Sequence, residues 1–507
     1  MVNEVVPPIT HIINLSIQQS KFPSQYKIAK VIPLLKKGDP LETKNYRPVA
    51  ILCIISKIIE RVIFLQIVEF MSKNEFFHPN HHGFRADHST TTAMIQMYDS
   101  WVQAAEEKKI TGVCMLDMSA AFDVVDHNIL LDKLKLYGFD DMSLKWVRNY
   151  LSGRTQAVYI DGVFSTYRNV EAGVPQGSIL GPLFYLLYTN DFPETIYRCG
   201  SAFHENSLKT KCDVCGGLCC FADDSTYSVS NESIHELKVK LSSRYEVMSS
   251  YLSNNKLKLN DDKTQLLVMA TRQRQVKSSI DLEITTTNGF IKPVKTAKLL
   301  GIDIQDDLKW SQYILLSDSS LVKQLTKRLS ALKLISSAAG FKDRLTVTNG
   351  LFSSKLIYQI SLWGGAEEYL LSALQKVQHQ AAKFVTQSGK NTSSRQMLVA
   401  CGWLNIKQLT FYHSVILIHR ILLKKSPLYI YERLPLEYDR ETRLAASNSL
   451  RVALTRRVTL RLSEKSFMHR AMNSYNMIPV ELRQMKNIDT FKTNLKKWVQ
   501  INIDVGQ

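Results

Sequence analysis

The chain has 507 residues, room for about three domains at roughly 150 residues each. Hydrophobic residues make up 45%, aromatic residues 9% and charged residues 22%, an ordinary globular balance that excludes collagen-like, coiled-coil and wholly disordered chains. Lys plus Arg number 64 against 46 Asp plus Glu, a net charge of +18, so the first expected partner is a polyanion, either nucleic acid or an anionic membrane surface. The N-terminus, MVNEVVPPIT, lacks the basic start and apolar run of a secretory leader. The most apolar stretch, Val49–Ser56, is soon interrupted by Lys57, Glu60 and Arg61 and is too short to span a bilayer. Eight cysteines without a leader fit reduced thiols. The expectation is therefore an intracellular protein, nuclear or cytoplasmic, with a nucleic-acid partner and no membrane.

In chain order, KKGDP (36–40) and NYRP (45–48) are loop signals, because Gly and Pro break both helix and sheet. Ile51–Phe70 and Thr90–Ala105 read as helices. TGVCMLD (111–117) reads as a short buried strand that ends on a carboxylate. Ile129, Leu130, Lys133, Leu134 and Tyr137 have helical spacing, with Gly138 placed to end the helix. GGLCCFAD (216–223) is a second buried strand ending on a carboxylate. Ile234, Leu237, Leu241, Tyr245, Met248 and Leu252 step by threes and fours, the mark of an amphipathic helix. Thr264–Met269 and Lys298–Ile304 read as strands. After Trp310 the spacing turns helical, beginning with Leu321, Leu325, Leu329, Leu332 and Ile335. Residues 440–497 hold thirteen Lys or Arg against four Asp or Glu, +9 and so half of the net charge. Strands and helices alternate irregularly, which gives an α+β class.

Four features carry chemistry. Asp117 ends one buried strand, and Asp223 and Asp224 end the other. Asp140-Asp141, Asp261-Asp262 and Asp306-Asp307 read as solvated pairs, whereas Asp223-Asp224 follows Leu218-Cys219-Cys220 directly. Carboxylates gathered there cost several kcal/mol unless a cation compensates them. Mg²⁺ suits such a set of hard oxygens, and two ions could activate an attacking 3′-oxygen and stabilise a leaving pyrophosphate. The alternative is a turn with solvent-facing acids. Gly173-Val174-Pro175-Gln176-Gly177-Ser178 is either a tight structural turn or a close approach to a flat or charged ligand, with Gln176 able to read a base edge or a sugar. Phe122, five residues past Asp117, is either a core residue or the wall of a nucleotide sugar site. Lys30, Lys36, Lys37 and Arg47 are either a solvated basic face or phosphate contacts, Arg47 with bidentate reach.

Together these segments resemble the reverse transcriptase of non-LTR (LINE-type, Jockey-like) retrotransposons. FPSQYKIAKVIPLLKKGDP and NYRPVAIL resemble its two finger motifs, and HHGFRADHSTTTAM resembles the segment that follows. LDMSAAFDVVDH resembles motif A, GVPQGSILGPLFYLLYTNDFP motif B, FADD motif C, LNDDKTQLLVM motif D and KLLGIDIQDDLKW the start of motif E. LQKVQHQAAKFV, YNMIPVEL and FKTNLKKWV resemble the C-terminal region of such elements. The resemblance implies a right-hand polymerase: fingers (1–110), a palm with an antiparallel sheet (111–310), a helical thumb (311–390) and a basic helical C-terminal region (391–507). It implies that Asp117, Asp223, Asp224 and the Met118 carbonyl hold Mg²⁺ (two ions, Mn²⁺ also possible). It further implies that Phe122 is the steric gate against ribonucleotides and that Gln176 and Gly177 sit beside nucleotide and template. Arg47 and Lys36 would contact the triphosphate, and Lys263 would lie near the departing pyrophosphate. The implied partners are template RNA, a DNA primer, their duplex and dNTPs.

Two departures bear on this reading. Elements of this class commonly carry an endonuclease upstream, and here the finger motifs begin within about 20 residues of Met1, so the expectation is either a truncated copy without it or a reading frame whose start is set too late. The interval between motifs B and C, about 194–220, looks longer than usual and contains Cys199, His204, Cys212 and Cys215, a zinc-knuckle half with two possible partners. The other reading is a loop with reduced thiols, and Cys219 and Cys220 read as core. Besides an active RNA-directed DNA polymerase, two readings stay open: a truncated, inactive remnant that only binds RNA or DNA, and a structural RNA-binding partner within a ribonucleoprotein.

Overall fold

Residues 2–36, 38–119, 121–197, 217–271, 282–286, 289–334, 339–389, 391–434, 464 and 466–503 are described in the computed structural model. Helix α1 (Val2–Gln18) is fastened by the Trp146 indole, which donates to the Ser16 hydroxyl at 3.0 Å. Strands β1 (Ile28–Leu35) and β2 (Tyr46–Ile51) form an antiparallel ribbon, from Lys30 opposite Ile51 to Leu35 opposite Tyr46. Helices α2 (Ile54–Lys73) and α3 (Thr90–Glu106) match the expected helical runs to within a turn. Ser89 and Thr92 cap the start of α3 reciprocally, side chain to backbone in both directions.

Strand β3 (Ile110–Leu116) is buried at every position and is followed by the short β4 (Met118–Ser119). Helices α4 (His127–Leu136) and α5 (Asp141–Leu151) both start on an aspartate, since the Asp126 and Asp140 carboxylates accept the first free backbone N–H groups. Strands β5 (Arg154–Ile160), β6 (Val163–Phe164) and β7 (Arg168–Val170) leave the middle of the chain and return to the first ribbon, with β5 parallel to β1. Then come α6 (Leu180–Tyr188) and α7 (Glu194–Tyr197), followed by the hairpin β8 (Gly217–Phe221) and β9 (Asp224–Asn231). Helix α8 (Ile234–Asn254) precedes β10 (Lys258–Leu259), β11 (Gln265–Met269), β12 (Ile284–Thr286), β13 (Gly289–Ile291) and β14 (Pro293–Val294).

The central sheet has the order β14-β11-β3-β9-β8 and is antiparallel except between β11 and β14. Its side chains alternate between two cores, as the two-residue period of a strand requires. Cys114, Leu116, Leu218, Cys220, Leu266 and Val268 face the core built with α1, α2, α4, α5, α6 and α8. Val113, Met115, Cys219, Leu267 and Met269 face the core built with α3 and the helices of the C-terminal half. At Gly112 a Cβ would come within 2.4 Å of the Leu241 side chain, so the absence of one lets α8 lie close to β3.

The segment Lys298–Ile304, expected as one strand, is a hairpin of β15 (Thr296–Leu299) and β16 (Ile302–Gln305). Leu300 and Gly301 turn it with φ of 45° and 82°; the apolar run hid the turn. The C-terminal half contains helices Leu321–Lys333, Phe341–Thr348, Glu368–Thr386, Ser394–Ala400, Ile406–Lys424, Phe467–Met477 and Ile488–Asn502. The α+β class with an antiparallel central sheet is the class that the sequence leads to. Among the described residues no helix is long and apolar enough to cross a membrane.

Candidate active site

The two carboxylate-ended strands are neighbours in the central sheet. Leu116 pairs with Ser225 across β3 and β9, and the same antiparallel register carried one step further sets Asp117 across from Asp224. On its other side Asp224 pairs with Phe221, so Ala222 and Asp223 form the two-residue turn of the β8–β9 hairpin. Ala222 adopts φ 56°, a left-handed conformation that a non-glycine residue holds only under constraint. The backbone of Asp117 is fixed on both sides: its carbonyl accepts the Asn260 N–H at 2.9 Å, and its N–H donates to the Thr264 hydroxyl at 3.4 Å.

The local electrostatics bear on Asp224. The Asp224 carboxyl is pushed up to about 6 by burial, then by the neighbouring charges of Asp223 and Asp117, with Lys36 partly offsetting. The Lys263 ammonium lies 3.8 Å from the Asp117 carboxylate. Among the described residues no three Asp, Glu, His or Cys side chains stand as a ready metal-holding group. The donor chemistry nevertheless fits a hard divalent cation: Asp224 is crowded by the charges of Asp223 and Asp117, with the Met118 carbonyl adjoining. The Met118 side chain is not available to it, being buried with its sulfur accepting the Tyr185 hydroxyl at 3.4 Å.

The loop Gly173–Ser178 is held by backbone contacts that explain its glycines. Gly173 donates its N–H to the Val125 carbonyl, and Val174 donates to Phe122, both at 2.8 Å. A Cβ on Gly173 would meet the Asp123 carbonyl carbon and oxygen at 2.7 and 2.6 Å. Ala50 of β2 donates its N–H to the Gln176 carbonyl at 2.9 Å, and a Cβ on Gly177 would come 2.5 Å from the Ala50 oxygen. This loop is thus where the first ribbon meets the stretch that follows Asp117. Phe122 stands between Tyr185 (ring centroids 4.6 Å apart) and Phe84 (6.3 Å, edge to face) and is partly exposed.

Arg47 sits opposite Leu34 on the ribbon with its side chain exposed, and Lys36 follows the end of β1, its N–H donating to the Asn45 carbonyl at 2.8 Å. Of these two, Lys36 is the one whose charge is felt at Asp224. Cys199, His204, Cys212 and Cys215 lie outside the described residues. Cys219 and Cys220 are buried free thiols in the sheet.

Sequence reasoning missed the residues that hold the others in place. Asn260 and Thr264 anchor Asp117. Asp123 accepts the Gln176 amide on both carboxylate oxygens. Glu60, fully buried on α2, accepts the N–H groups of Ile179 and Leu180 at 2.6 and 3.2 Å and so caps the helix that follows the glycine loop. Burial raises the Glu60 carboxyl, with those two N–H groups opposing. A carboxylate in the middle of the apolar run Ile54–Met71 was the available signal for Glu60; Asn260 and Thr264 carried none.

The reverse transcriptase (RNA-dependent DNA polymerase) family matches residues 34–304, more than half of the chain. The probable RNA-directed DNA polymerase from transposon X-element of Drosophila melanogaster is 27% identical over 379 residues, 75% of this chain and 40% of that protein. The RNA-directed DNA polymerase from mobile element jockey of Drosophila funebris is 25% identical over 368 residues, 72% of this chain and 38% of that protein. The chain spans about 40% of the length of the curated relatives it matches. A solved telomerase of Candida albicans, in complex with a fragment of telomeric RNA, is 13% identical with a TM-score of 0.42, covering 82% of this chain and 67% of that one. The relatives are mobile-element polymerases of the kind that the motif order resembles. The chain belongs to the reverse transcriptase (RNA-dependent DNA polymerase) family.

Proposed function

We propose that this chain is an RNA-directed DNA polymerase that joins dNTPs to a primer 3′-hydroxyl on an RNA template, as part of a non-LTR retrotransposon. The observation that carries the reading is the register that sets Asp117 across from Asp224 with Asp223 on the adjoining turn. Asp117, Asp223, Asp224 and the Met118 carbonyl would hold Mg²⁺, or Mn²⁺ in its place. The chemistry such ions supply when bound is activation of the 3′-hydroxyl and neutralisation of charge on the departing pyrophosphate.

The chain's own residues supply position and charge. Arg47 and Lys36, on one ribbon, grip the triphosphate. Lys263 stands beside Asp117 and offers a proton or a positive charge to the leaving pyrophosphate. Phe122, backed by Tyr185 and Phe84, presents a flat wall where a 2′-hydroxyl would have to lie. Gln176 and Gly177 line the nucleotide and template side of the ribbon contact. The basic helices beyond residue 390 hold the RNA–DNA duplex by its phosphates, through shape rather than sequence.

Primer extension on poly(rA)–oligo(dT) with dTTP and Mg²⁺ tests this, with Asp223→Ala as control. The expected result is extension that falls by about 10³-fold or more in the variant while duplex binding survives. A wild-type chain that binds the duplex in a salt-sensitive way but extends nothing overturns the reading and leaves a nucleic-acid-binding remnant.

A further inference from the structure

The turn that carries Asp223 is braced from outside the central sheet. Residues 80–83 run beside β8 as an extra, parallel edge: Cys220 donates its N–H to the Asn80 carbonyl at 2.9 Å, and His82 donates to the Cys220 carbonyl at 2.8 Å. The next residue, Gly83, lies against the turn itself, where a Cβ would come 2.6 Å from the Ala222 nitrogen. That is the residue held at positive φ just before Asp223. The backbone of 80–83 therefore fixes both the edge of β8 and the strained end of its hairpin.

Residues 80–83 are held nearby, where the His81 ring meets the Thr189 carbonyl at 2.8 Å and Arg85 donates to the His81 carbonyl at 2.9 Å, and also from the far end of the chain. The His82 ring is 1% exposed, and neither of its nitrogens has a hydrogen-bond partner. It is met edge to face by Tyr429 at 4.7 Å between centroids, with Tyr429 also 5.6 Å from His88. A buried imidazole without partners gains nothing from its polarity, so its position is set by the shape of the rings around it. Four residues past Gly83, Asp87 takes Lys424 at 2.6 Å and Arg420 at 3.8 Å, both from the helix that leads to Tyr429. The C-terminal half thus grips this segment at two points, although it lies outside the family match at 34–304.

We propose that Tyr429 is a positioning residue for the Asp223 turn, acting through His82 and Gly83, so that the C-terminal helical region sets how well the three carboxylates gather around a divalent cation. The inference rests on the role given to those carboxylates above. Residues behind a metal site typically act on its affinity by about 10–100-fold, which is the effect expected here.

The test is steady-state primer extension by the full chain over a Mg²⁺ titration, comparing wild type, Tyr429→Ala, Tyr429→Leu, Tyr429→Phe and Gly83→Ala, with thermal midpoints measured alongside. Tyr429→Leu is read in place of Tyr429→Ala should the alanine variant not fold. The expected result is a rise of about tenfold in the half-saturating Mg²⁺ for the Ala or Leu variant and for Gly83→Ala, with the dTTP KM within about twofold of wild type. Tyr429→Phe, which keeps the ring, should restore the wild-type Mg²⁺ requirement. An unchanged Mg²⁺ requirement, with kcat falling only as the thermal midpoint falls, overturns the proposal and makes Tyr429 an ordinary packing residue. A wild-type chain that extends no primer at any Mg²⁺ concentration instead overturns the polymerase reading, so the two failures are distinct.

Discussion

The Gln176 side-chain amide donates to both carboxylate oxygens of Asp123, at 2.8 and 2.9 Å. The pair joins the stretch after Asp117 to the glycine loop, and it fixes the direction of an amide whose backbone is already held by Ala50. Hydrogen bonds to a charged group are worth about 1.5–3 kcal/mol when sheltered. This one is exposed to solvent, so about 1 kcal/mol is the fitting figure. Asp123→Ala should therefore raise the dNTP KM by about fivefold with kcat within about twofold. Steady-state kinetics on a homopolymer template check this, and a KM that stays put would mean that the backbone alone orients Gln176.

Two glycines separate backbone strain from close contact. Gly177 has φ 116° and would press a Cβ to 2.5 Å from the Ala50 oxygen, whereas Gly162 has φ 90° with nothing within 4 Å. Gly162→Ala should cost about 1–2 kcal/mol of stability through its backbone alone and leave polymerisation intact. Gly177→Ala should cost more than that and displace β2 from the loop, lowering primer extension by at least about tenfold. Denaturant titrations and extension assays on both variants check the pair. Equal losses of activity would mean that the ribbon-to-loop contact has no bearing on the site.

The parts of the site that were legible in the sequence are those where one strand carries its own contrast. Asp117 and Asp223 stand out because buried apolar runs end on them, and a charge in that place demands an explanation. The contacts that position them are not legible, because each joins distant segments. Asn80 meets Cys220, Asn260 meets Asp117 and Glu60 meets Ile179 only after the chain has folded back on itself. The run Lys298–Ile304 misled for a local reason. Its turn rests on Leu300 and Gly301, and a leucine at positive φ gives no sign of itself. The neighbourhood of Tyr429 to His82 could not be read from either stretch.

Phe122 gives a test of substrate choice that leaves the carboxylates untouched. Its ring is fixed by Tyr185 and Phe84 and remains partly open to solvent, so a smaller residue opens space at the surface of the site rather than in the core. Phe122→Val should lower the preference for dNTP over rNTP, taken as the ratio of kcat/KM values, by about 10–100-fold. The rate with dNTP should change far less. Parallel extension series with dTTP and UTP measure it. A preserved ratio would assign discrimination to another residue.

The raised carboxyl of Asp224 gives a test in which stability and activity move in opposite directions. Burial first, then Asp223 and Asp117, lift it from its ordinary 3.8 to about 6. A carboxyl raised on folding binds more protons in the folded chain than in the unfolded one between those two values, so stability falls as pH climbs from about 4 through about 6. Above that range the crowded charges are a standing cost, about 1 kcal/mol once discounted for the solvent that reaches Asp224. Asp224→Asn should remove that cost and abolish polymerisation. The variant should melt above wild type near about pH 8 and lose this advantage near about pH 4.5. Mg²⁺ should raise the wild-type midpoint at the higher pH, because a cation relieves the same repulsion, and should do little for the variant. Thermal melts at the two pH values, with and without Mg²⁺, check all three statements. If wild type and variant keep the same offset at both pH values, the three carboxylates do not share a charge environment, and the register that sets Asp117 across from Asp224 is not a cation site.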